Sequence, residues 1–544
     1  MAKYSMGIDF GTLSGRAVIV DVNTGEEIVT SVAEYKHGVM SEALPCGKKL
    51  PDDYALQHPQ DYIDTLHFII KDCLSGSGIN PEDIIGIGVD FTACTLLPVT
   101  EDGTPLCFLD EFKENPHAYV KLWKHHAAQK EADEINALAK STDAPWLKQY
   151  GGTISCEWLF PKVLQILRED ESLYNKTFRF IEAADWIVWK LTGKESHSVC
   201  TTGYKAMWNE ETGYPDKEFL KKLDKRLENI VGDKLSENVT LLSKTAGYIT
   251  SEIANVTGLK EGTPVSPAFI DAHAALPTLG ITKAGELLMI IGTSSCHILL
   301  GDKPAYIPGI SGYVKSGIID GLYAFEAGQS CVGDSFDWFV KNCVPHNYFL
   351  DAEKNGVNIH KYLREKAKNL QPGSNGLIAL DWWNGNRTPF VNGNLSGAII
   401  GMSLFTKPEE IYKALIESTA YGTKRIIEIY ESNGIKINKL YATGGIADKD
   451  EMLMQIYADV TGKEIFVSDT AYGCAYGSAI LGAVNKGGYK TLTEAAELLK
   501  RIKNVTFKPN MKNHTKYQKI YKEYKELSEY FGQKNNVMER LKSL

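Results

Sequence analysis

The 544-residue sequence lacks the features of several large protein classes. No stretch approaches the roughly 18 consecutive apolar residues of a membrane span, and no signal-peptide apolar region precedes the first strand pattern. Its ten cysteines include no Cys-x-x-Cys pair, which favours reduced thiols over disulfides or a zinc module. We therefore expect a cytoplasmic protein without a membrane partner.

Several familiar catalytic and nucleotide-binding motifs are absent as well. No Gly-x-x-x-x-Gly-Lys-Ser/Thr loop occurs, and Gly86-x-Gly88 lacks the third glycine of the dinucleotide fingerprint because Phe91 stands in its place. Residues 328–332 miss the nucleophile elbow of the α/β-hydrolases by one position, and no His-Glu-x-x-His occurs. P-loop enzymes and Rossmann dehydrogenases are therefore excluded.

Length and charge narrow the remaining classes. The chain is too long for one hydrophobic core, so two or more domains are expected. Its net charge of −9 argues against nucleic acid or an anionic membrane surface as the main partner. Hydrophobic residues make up 43% and charged residues 23%, which is ordinary for a globular protein.

Two similar strand–turn–strand patterns occur, one in each half of the chain. The first has strands over 6–10 and 16–21 around Gly11-Thr12, and the second has strands over 286–291 and 296–300 around Gly292-Thr293-Ser294. Either turn alone is explained by ordinary turn preferences. Glycine backbone and hydroxyl groups are also suitable donors to phosphate. Facing each other across a cleft, the two turns could clamp a polyphosphate.

The rest of the chain predicts a mixed α/β sheet in each half, with a mostly helical region over 113–250. A third strand (28–35), a helix (60–75) and a buried strand (84–92) follow the first hairpin, and a second buried strand ends at Gly444. Thr406 and Glu409 suggest a capping box before a helix over 411–430. An apolar stripe near the C-terminus indicates a helix that packs on the core; its members are Tyr517, Ile520, Tyr521, Tyr524, Leu527 and Phe531.

Asp271 stands near the midpoint, between an apolar run and a series of small residues. This pattern is typical of a strand that ends where a helix begins, with a carboxylate beside the free N–H groups of the helix. Taken alone, Asp271 would be read as an ordinary N-cap.

Asp9, just before the first turn, could hold Mg²⁺ through water. Gly444-Gly445 ends a buried strand, where α/β sheets bind ligands, and leaves room for an adenosine.

Together these segments resemble the FGGY family of carbohydrate kinases, within the actin-like ATPase superfamily. Residues 7–12 resemble its first phosphate motif, 292–294 its second, 442–448 its adenosine motif, and 397–417 its C-terminal signature. Residues 160–164 match the N-terminal signature only in part and receive no role. The resemblance implies two actin-like (ribonuclease H-like) α/β domains, each a mixed five-stranded sheet with helices, and a cleft between them. We expect a sugar-binding domain over 1–275 and an ATP-binding domain over 276–544.

Within the family, four segments are similar to the members that phosphorylate L-ribulose: 89–98, 157–162, 202–208 and 325–330. The resemblance implies that Asp271 is the catalytic base and that Asp271 and Asp9 hold Mg²⁺. The residues implied to contact the sugar are Ala93, Trp123, Lys205, Asp271 and Glu326. The residues implied to hold ATP are Gly11, Thr12, Gly292, Thr293, Ser294, Gly444, Gly445 and Asp448. Residues 268–270 depart from the usual family pattern before the base.

The expected function is ATP-dependent phosphorylation of L-ribulose to L-ribulose 5-phosphate in L-arabinose catabolism. One alternative is another kinase of this family that acts on D-xylulose, D-ribulose, ribitol or glycerol. A second is an actin-like ATP-driven binding switch, which needs no base at Asp271. A third is a glycoside hydrolase that uses Asp271 and Glu326, although such an enzyme has no use for two phosphate turns. A homodimer is the expected assembly, and the sequence assigns no role to the C-terminal helix beyond packing.

Overall fold

A mixed sheet of seven strands forms the base of the N-terminal half in the computed structural model, which describes residues 3–485 and 487–544. The strands follow one another across the sheet in the order Gly247–Tyr248, Pro264–Val265, Ile84–Phe91, Tyr4–Phe10, Ser14–Asp21 and Glu27–Glu34, and Phe269–Ile270 also pairs with Ile84–Phe91. Tyr4–Phe10 and Ser14–Asp21 form the predicted hairpin, closed by a hydrogen bond from Gly11 N–H to Ser14 C=O (3.0 Å).

The C-terminal half repeats this arrangement. Its seven strands lie in the order Gly312–Lys315, Tyr323–Gln329, Ser295–Gly301, Glu286–Ile291, Lys439–Thr443, Ile465–Ser468 and Ile502–Phe507. In both sheets the first strand of the hairpin pairs antiparallel with its partner and parallel with a buried strand. The predicted fold class is therefore confirmed.

The predicted count of five strands in each sheet is too low. In the second sheet, five strands are flanked by Gly312–Lys315 at one edge and Ile502–Phe507 at the other. An edge strand pairs on one side only and need not be fully buried. Ile502–Phe507 is accordingly half-buried to exposed, so that its sequence lacks the apolar run by which buried strands are recognised.

Two short helices, Asp271–Thr278 and Gly473–Gly482, pack against each other between the sheets. Gly473–Gly482 belongs to the C-terminal half, yet it lies on the first sheet across Tyr4–Phe10 and Ile84–Phe91. Gly7 and Gly88 are paired in register on those strands. A methyl group at either position would overlap the backbone carbonyl of Ala475 or Ser478. The two glycines thus allow the helix to approach the strands closely.

The remaining helices surround this centre. Their bounds are Pro59–Ser77, Gln129–Ser141, Leu159–Glu169, Glu171–Lys176, Ala183–Thr192, Val199–Lys205, Lys217–Leu223, Ile230–Asp233, Ser251–Thr257, Gly333–Cys343, His346–Lys354, Ile359–Ala367, Pro408–Ser432, Gly445–Lys449, Glu451–Thr461, Leu492–Leu499, Met511–Glu529 and Val537–Lys542. The helices between 113 and 250 share their region with a small four-stranded sheet of Leu56–Gln57, Val120–Lys121, Leu96–Val99 and Arg179–Glu182. Among the residues that the structure describes, no helix is both long and apolar enough to cross a bilayer.

The capping box predicted from Thr406 and Glu409 is wrong by one residue. The helix runs from Pro408 to Ser432, and its N-terminal box joins the backbone N–H of Lys407 to the carboxylate of Glu410 at 2.8 Å. Pro408 fixes this start, because proline is favoured in the first turn, where its missing N–H leaves no hydrogen bond unmade.

The C-terminal helix packs on the core through its tyrosines, as its apolar stripe predicted. Tyr517 and Tyr521 donate to Glu417 (2.9 Å) and Glu428 (2.8 Å) on the helix Pro408–Ser432. Tyr524 donates to the buried Asp381 at 2.6 Å. The stripe therefore combines apolar contact with hydrogen bonds to carboxylates.

Candidate active site

Two carboxyl groups lie side by side where neighbouring parallel strands of the first sheet end. Asp9 and Asp90 are paired in register, and both are buried. Arg16 contacts Asp9 at 3.3 Å, and the hydroxyl of Ser478 donates to Asp90 at 2.6 Å. Burial and the charge of Asp9 raise the pKa of Asp90 well above its usual range. Burial raises the pKa of Asp9 as well, although Arg16 and a hydrogen bond with Asp90 oppose that rise.

Asp271 is the first residue of a central helix, at the junction that the sequence predicted. The strand that delivers it pairs Phe269 with Asp90, so that Asp271 lies next to the carboxyl pair. Its carboxylate accepts a hydrogen bond from the N–H of Ala272 at 2.7 Å, and Ile270 holds the N-cap position, so the N-cap reading does not apply. Burial and the nearby charge of Asp9 raise the pKa of Asp271 to about 7. A carboxylate with this pKa is a suitable proton acceptor near neutral pH.

Lys205 and Glu326 form a buried ion pair that joins the two halves of the chain. Lys205 ends the helix Val199–Lys205, and Glu326 lies on the strand Tyr323–Gln329; the ammonium is 3.0 and 3.2 Å from the two carboxylate oxygens. Burial alone would raise the pKa of Glu326, but Lys205 and His273 outweigh it and hold that pKa well below its usual range. Glu326 is therefore ionised and paired. Pairing accounts for a carboxylate that would be costly to bury alone.

A cavity of about 710 Å³ opens onto this ion pair. Residues of both halves line it, including Glu157 and Trp158 from the first and Arg387 from the second. The charges of Lys205 and Glu326 also act on the pKa of Asp271, the predicted base, although Asp271 itself does not line this cavity. Arg387 was not predicted as a site residue, because it lies in a loop outside the recognised motifs.

Trp123, one of the predicted sugar contacts, lies against the first phosphate turn. Its indole N–H donates to the hydroxyl of Thr12 at 3.2 Å. The same turn is held by Gln57, which donates to the carbonyl of Thr12 (2.7 Å), and by Tyr35, which donates to the carbonyl of Gly11 (2.9 Å). Trp123 and Thr12 are both half-buried, so a ligand could still reach them. Ala93 is half-buried as well.

The second phosphate turn and the adenosine motif meet at one cavity of about 470 Å³. Gly292, Thr293 and Gly445 line it together. Gly444 has φ of 101°, and a Cβ there would lie 2.5 Å from the carbonyl oxygen of Ile291. The close packing of Gly444 against the neighbouring strand therefore requires glycine.

A helix N-terminus adds a feature that the sequence reasoning missed. The N–H of Gly333, which begins the helix Gly333–Cys343, donates to the carbonyl of Gly292 at 3.0 Å. The positive end of a helix beside a glycine turn favours an anion.

Two residues predicted to hold ATP do not line this cavity. Ser294 is half-buried beside it, and the carboxylate of Asp448 pairs with Lys503 outside it.

The residues around Asp9 suit a hard divalent cation. Asp9, Asp90 and Cys474 offer ligand atoms within 4.8 Å of one another, in a group that does not include Asp271. One oxygen of Asp90 is buried without a hydrogen-bond partner among the described residues. Carboxylate oxygens are the ligands that Mg²⁺ prefers. Burial and the surrounding carboxylates raise the pKa of Cys474 well above its usual range, so its neutral thiol is no ligand for Mg²⁺.

Comparisons with known proteins identify the family and the fold. Residues 4–277 match the N-terminal domain and residues 287–485 the C-terminal domain of the FGGY family of carbohydrate kinases. A ribulokinase of Bacillus licheniformis is 51% identical over 98% of this chain and 97% of its own length, and one of Halalkalibacterium halodurans is 48% identical over 100% and 97%. The solved structure of a xylulose kinase from Lactobacillus acidophilus has a TM-score of 0.81 at 18% identity, covering 98% of this chain and 99% of its own. A glycerol kinase from Plasmodium falciparum gives 0.79 at 18% identity, covering 97% and 98%.

Proposed function

This chain belongs to the FGGY family of carbohydrate kinases, and we propose that within it the substrate is L-ribulose. The γ-phosphoryl group of ATP would pass to a primary hydroxyl, giving L-ribulose 5-phosphate and ADP, a step of L-arabinose catabolism. Relatives named ribulokinase, at 48–51% identity over nearly the whole chain, support this choice. The observation that carries it is the position of Asp271 at the end of a strand beside Asp90, where burial and then the charge of Asp9 raise its pKa to about 7.

The Lys205–Glu326 pair and the Trp123 ring supply the groups that a ketopentose needs. A sugar with several hydroxyls requires a donor, an acceptor and a flat apolar wall. Lys205 offers N–H groups, Glu326 offers carboxylate oxygens, and both line the larger cavity. The Trp123 ring and the Ala93 loop would close the site beside the first phosphate turn. Because the ion pair is already formed, the polar groups are held in place before the sugar arrives.

Asp271 would act as the general base. Its carboxylate accepts the proton of the attacking hydroxyl, whose oxygen forms the new bond to the γ-phosphorus as the bond to the leaving ADP oxygen breaks. Little covalent chemistry is required of the protein in phosphoryl transfer, so positioning and charge stabilisation dominate. The raised pKa suits this role, because a weakly basic carboxylate at its ordinary pKa would accept the proton less readily.

ATP would lie against both glycine turns. Thr12 of the first hairpin, with Thr293 and Ser294 of the second, would donate hydroxyl groups to the phosphates. Gly11 and Gly292, whose N–H groups are used within the turns, would let the phosphates approach the backbone closely, and the N-terminus of the helix Gly333–Cys343 would lie beside them. The adenosine would occupy the cavity beside Gly444 and Gly445. Asp448 would contribute through the backbone of its motif, since its carboxylate is engaged by Lys503.

Asp9 is the best candidate to hold Mg²⁺, with Asp90 beside it and Asp271 nearby. When bound, the metal would offset the negative charge of the polyphosphate. The carboxylates present fit such a cation, and Arg16 balances Asp9 in its absence. A division of the chain into domains over 1–275 and 276–544, a cytoplasmic location and a homodimer remain predictions.

The test is ADP release from Mg-ATP in the presence of a panel of sugars: L-ribulose, D-ribulose, D-xylulose, ribitol, glycerol, and none. Strong stimulation by L-ribulose supports both the reaction and the substrate. Stimulation by another sugar alone would retain the kinase and Asp271 but overturn the substrate. ATP hydrolysis that no sugar stimulates would favour a binding switch.

A further inference from the structure

Lys162 is a lysine with no exposed surface, near the start of the helix Leu159–Glu169. Its ammonium donates to three backbone carbonyls: those of Cys94 (2.6 Å), Leu122 (3.0 Å) and Lys121 (3.2 Å). An ammonium group has three N–H donors and no acceptor. All three donors are therefore used on the main chain.

The segments that Lys162 holds are those that carry two of the predicted sugar contacts. Cys94 follows Ala93 directly, and Leu122 precedes Trp123. Lys121 ends the short strand Val120–Lys121, which leads into Trp123. One side chain thus ties together two loops that come from different parts of the sequence.

The loop at Ala93 has a backbone conformation that needs support. Cys94 has φ of 58°, in the left-handed region that residues other than glycine rarely adopt. Such conformations persist when their surroundings fix them, and they cluster at functional sites. The hydrogen bond from Lys162 to the Cys94 carbonyl supplies part of that constraint.

Glu182 fixes the other side of the same loop. Its carboxylate accepts a hydrogen bond from the N–H of Thr95 at 2.7 Å, and it is buried. The hydroxyl of Thr95 in turn donates to the carbonyl of Thr92 at 2.7 Å. The side chains of Lys162 and Glu182 therefore hold the backbone on either side of Ala93-Cys94 through hydrogen bonds. Among the described residues, Lys162 and Glu182 make no hydrogen bond to each other. Both side chains bond to the main chain instead.

We propose that Lys162 and Glu182 are positioning residues for the sugar site, which hold the Ala93 loop and the Trp123 segment in their binding geometry. The proposal rests on the proposed function, in which Ala93 and Trp123 contact the sugar. Charged side chains are costly to bury, and a packed apolar pair would fill the same space. Lys162 and Glu182 form hydrogen bonds to main-chain groups, which an apolar residue could not do.

The test compares Lys162→Met with wild type in steady-state kinetics, using the sugar that stimulates wild type most. Methionine keeps a similar length and removes every donor. The KM for the sugar should rise roughly tenfold or more, because small displacements of positioning groups have effects of this size. The KM for ATP should rise by no more than about threefold, since the adenosine cavity lies in the other half and Trp123 contacts the first phosphate turn through one hydrogen bond, to Thr12.

Lys234→Met is the matched control. Lys234 also donates to a backbone carbonyl, that of Thr177, but it lies outside both cavities. Its replacement should leave the KM for the sugar unchanged. If Lys162→Met does not fold, Glu182→Leu tests the other side of the loop, with the same expected rise in the KM for the sugar alone.

The outcomes separate the proposal from simple loss of stability. A variant that is only less stable has fewer active molecules, which lowers the apparent kcat and leaves the KM for the sugar unchanged. That result, or a parallel rise in the KM for both substrates, would overturn the positioning role. A wild type that L-ribulose does not stimulate would instead overturn the proposed substrate, and the comparison would continue with the sugar that does.

Discussion

Replacing Asp271 by asparagine tests the proposed base with little change in shape. Asparagine keeps the side-chain volume and an oxygen that can accept from the N–H of Ala272, which is the hydrogen bond that Asp271 makes in the structure. It also removes a negative charge beside Asp9, so repulsion within the carboxylate cluster decreases. The fold and the binding of both substrates should therefore survive, and only proton transfer is lost.

The expected loss follows from the proton-accepting role. A general base contributes about 10² to 10⁴ in rate, which corresponds to about 2.7–5.4 kcal/mol of transition-state stabilisation. Because the pKa of Asp271 is raised to about 7, its carboxylate is a better base than an ordinary aspartate, which favours the upper part of that range. We expect Asp271→Asn to lower kcat by at least about 10², with the KM for each substrate within about tenfold.

The assay is ADP release at saturating sugar and Mg-ATP, with each KM measured separately. Asp459→Asn is the control, because Asp459 is another buried aspartate that accepts a backbone hydrogen bond, from Asn510 at 2.8 Å, in the C-terminal half. It should affect thermal stability without a comparable fall in kcat. Turnover of Asp271→Asn within tenfold of wild type would refute the assignment of the base.

Three further predictions follow from the site. Because the base must be unprotonated and the pKa of Asp271 is about 7, kcat/KM should rise with pH by about tenfold per unit up to that value and then level off; a flat profile from pH 5 to 8 would contradict this. Lys205→Met removes the lysine partner of the buried Glu326 and leaves only His273, at 3.6 Å, so chemical denaturation should show a loss of about 3–5 kcal/mol, with a higher KM for the sugar; unchanged stability would contradict the pairing. Gly444→Ala should lower the unfolding temperature and Gly445→Ala should not, since a Cβ collides only at the first position; equal effects would refute the packing argument.

Local sequence patterns predicted most of the fold and part of the candidate site. The hairpins around Gly11-Thr12 and Gly292-Thr293 were predictable because alternating apolar residues and a turn act over about fifteen positions. The junction at Asp271 was predictable for the same reason. The resemblance to a family then connected these separate segments, which periodicity alone could not place next to one another.

Residues that act through distant contacts were harder to find. Lys162 contacts carbonyls 40 or more positions away, and nothing in its own sequence neighbourhood indicates this. Asp90 did leave a signal: Gly7-Ile8-Asp9-Phe10 recurs as Gly88-Val89-Asp90-Phe91 at the end of another predicted strand. Because parallel neighbours end at the same edge, that repeat could have predicted the carboxyl pair.

The second sheet explains how a sugar hydroxyl and a phosphate could be aligned without a mobile loop between them. Glu326 lies on Tyr323–Gln329, and the second phosphate turn joins Glu286–Ile291 to Ser295–Gly301, which pairs directly with the Glu326 strand. The proposed sugar acceptor and the proposed phosphate donors are therefore separated by one ladder of backbone hydrogen bonds. Asp271 is carried by a helix packed between this sheet and the first. Effective phosphoryl transfer depends on holding the reacting atoms in line, and a rigid sheet holds them better than side chains on separate loops. Lys205, on the other half of the chain, would complete the proposed sugar site through its ion pair with Glu326.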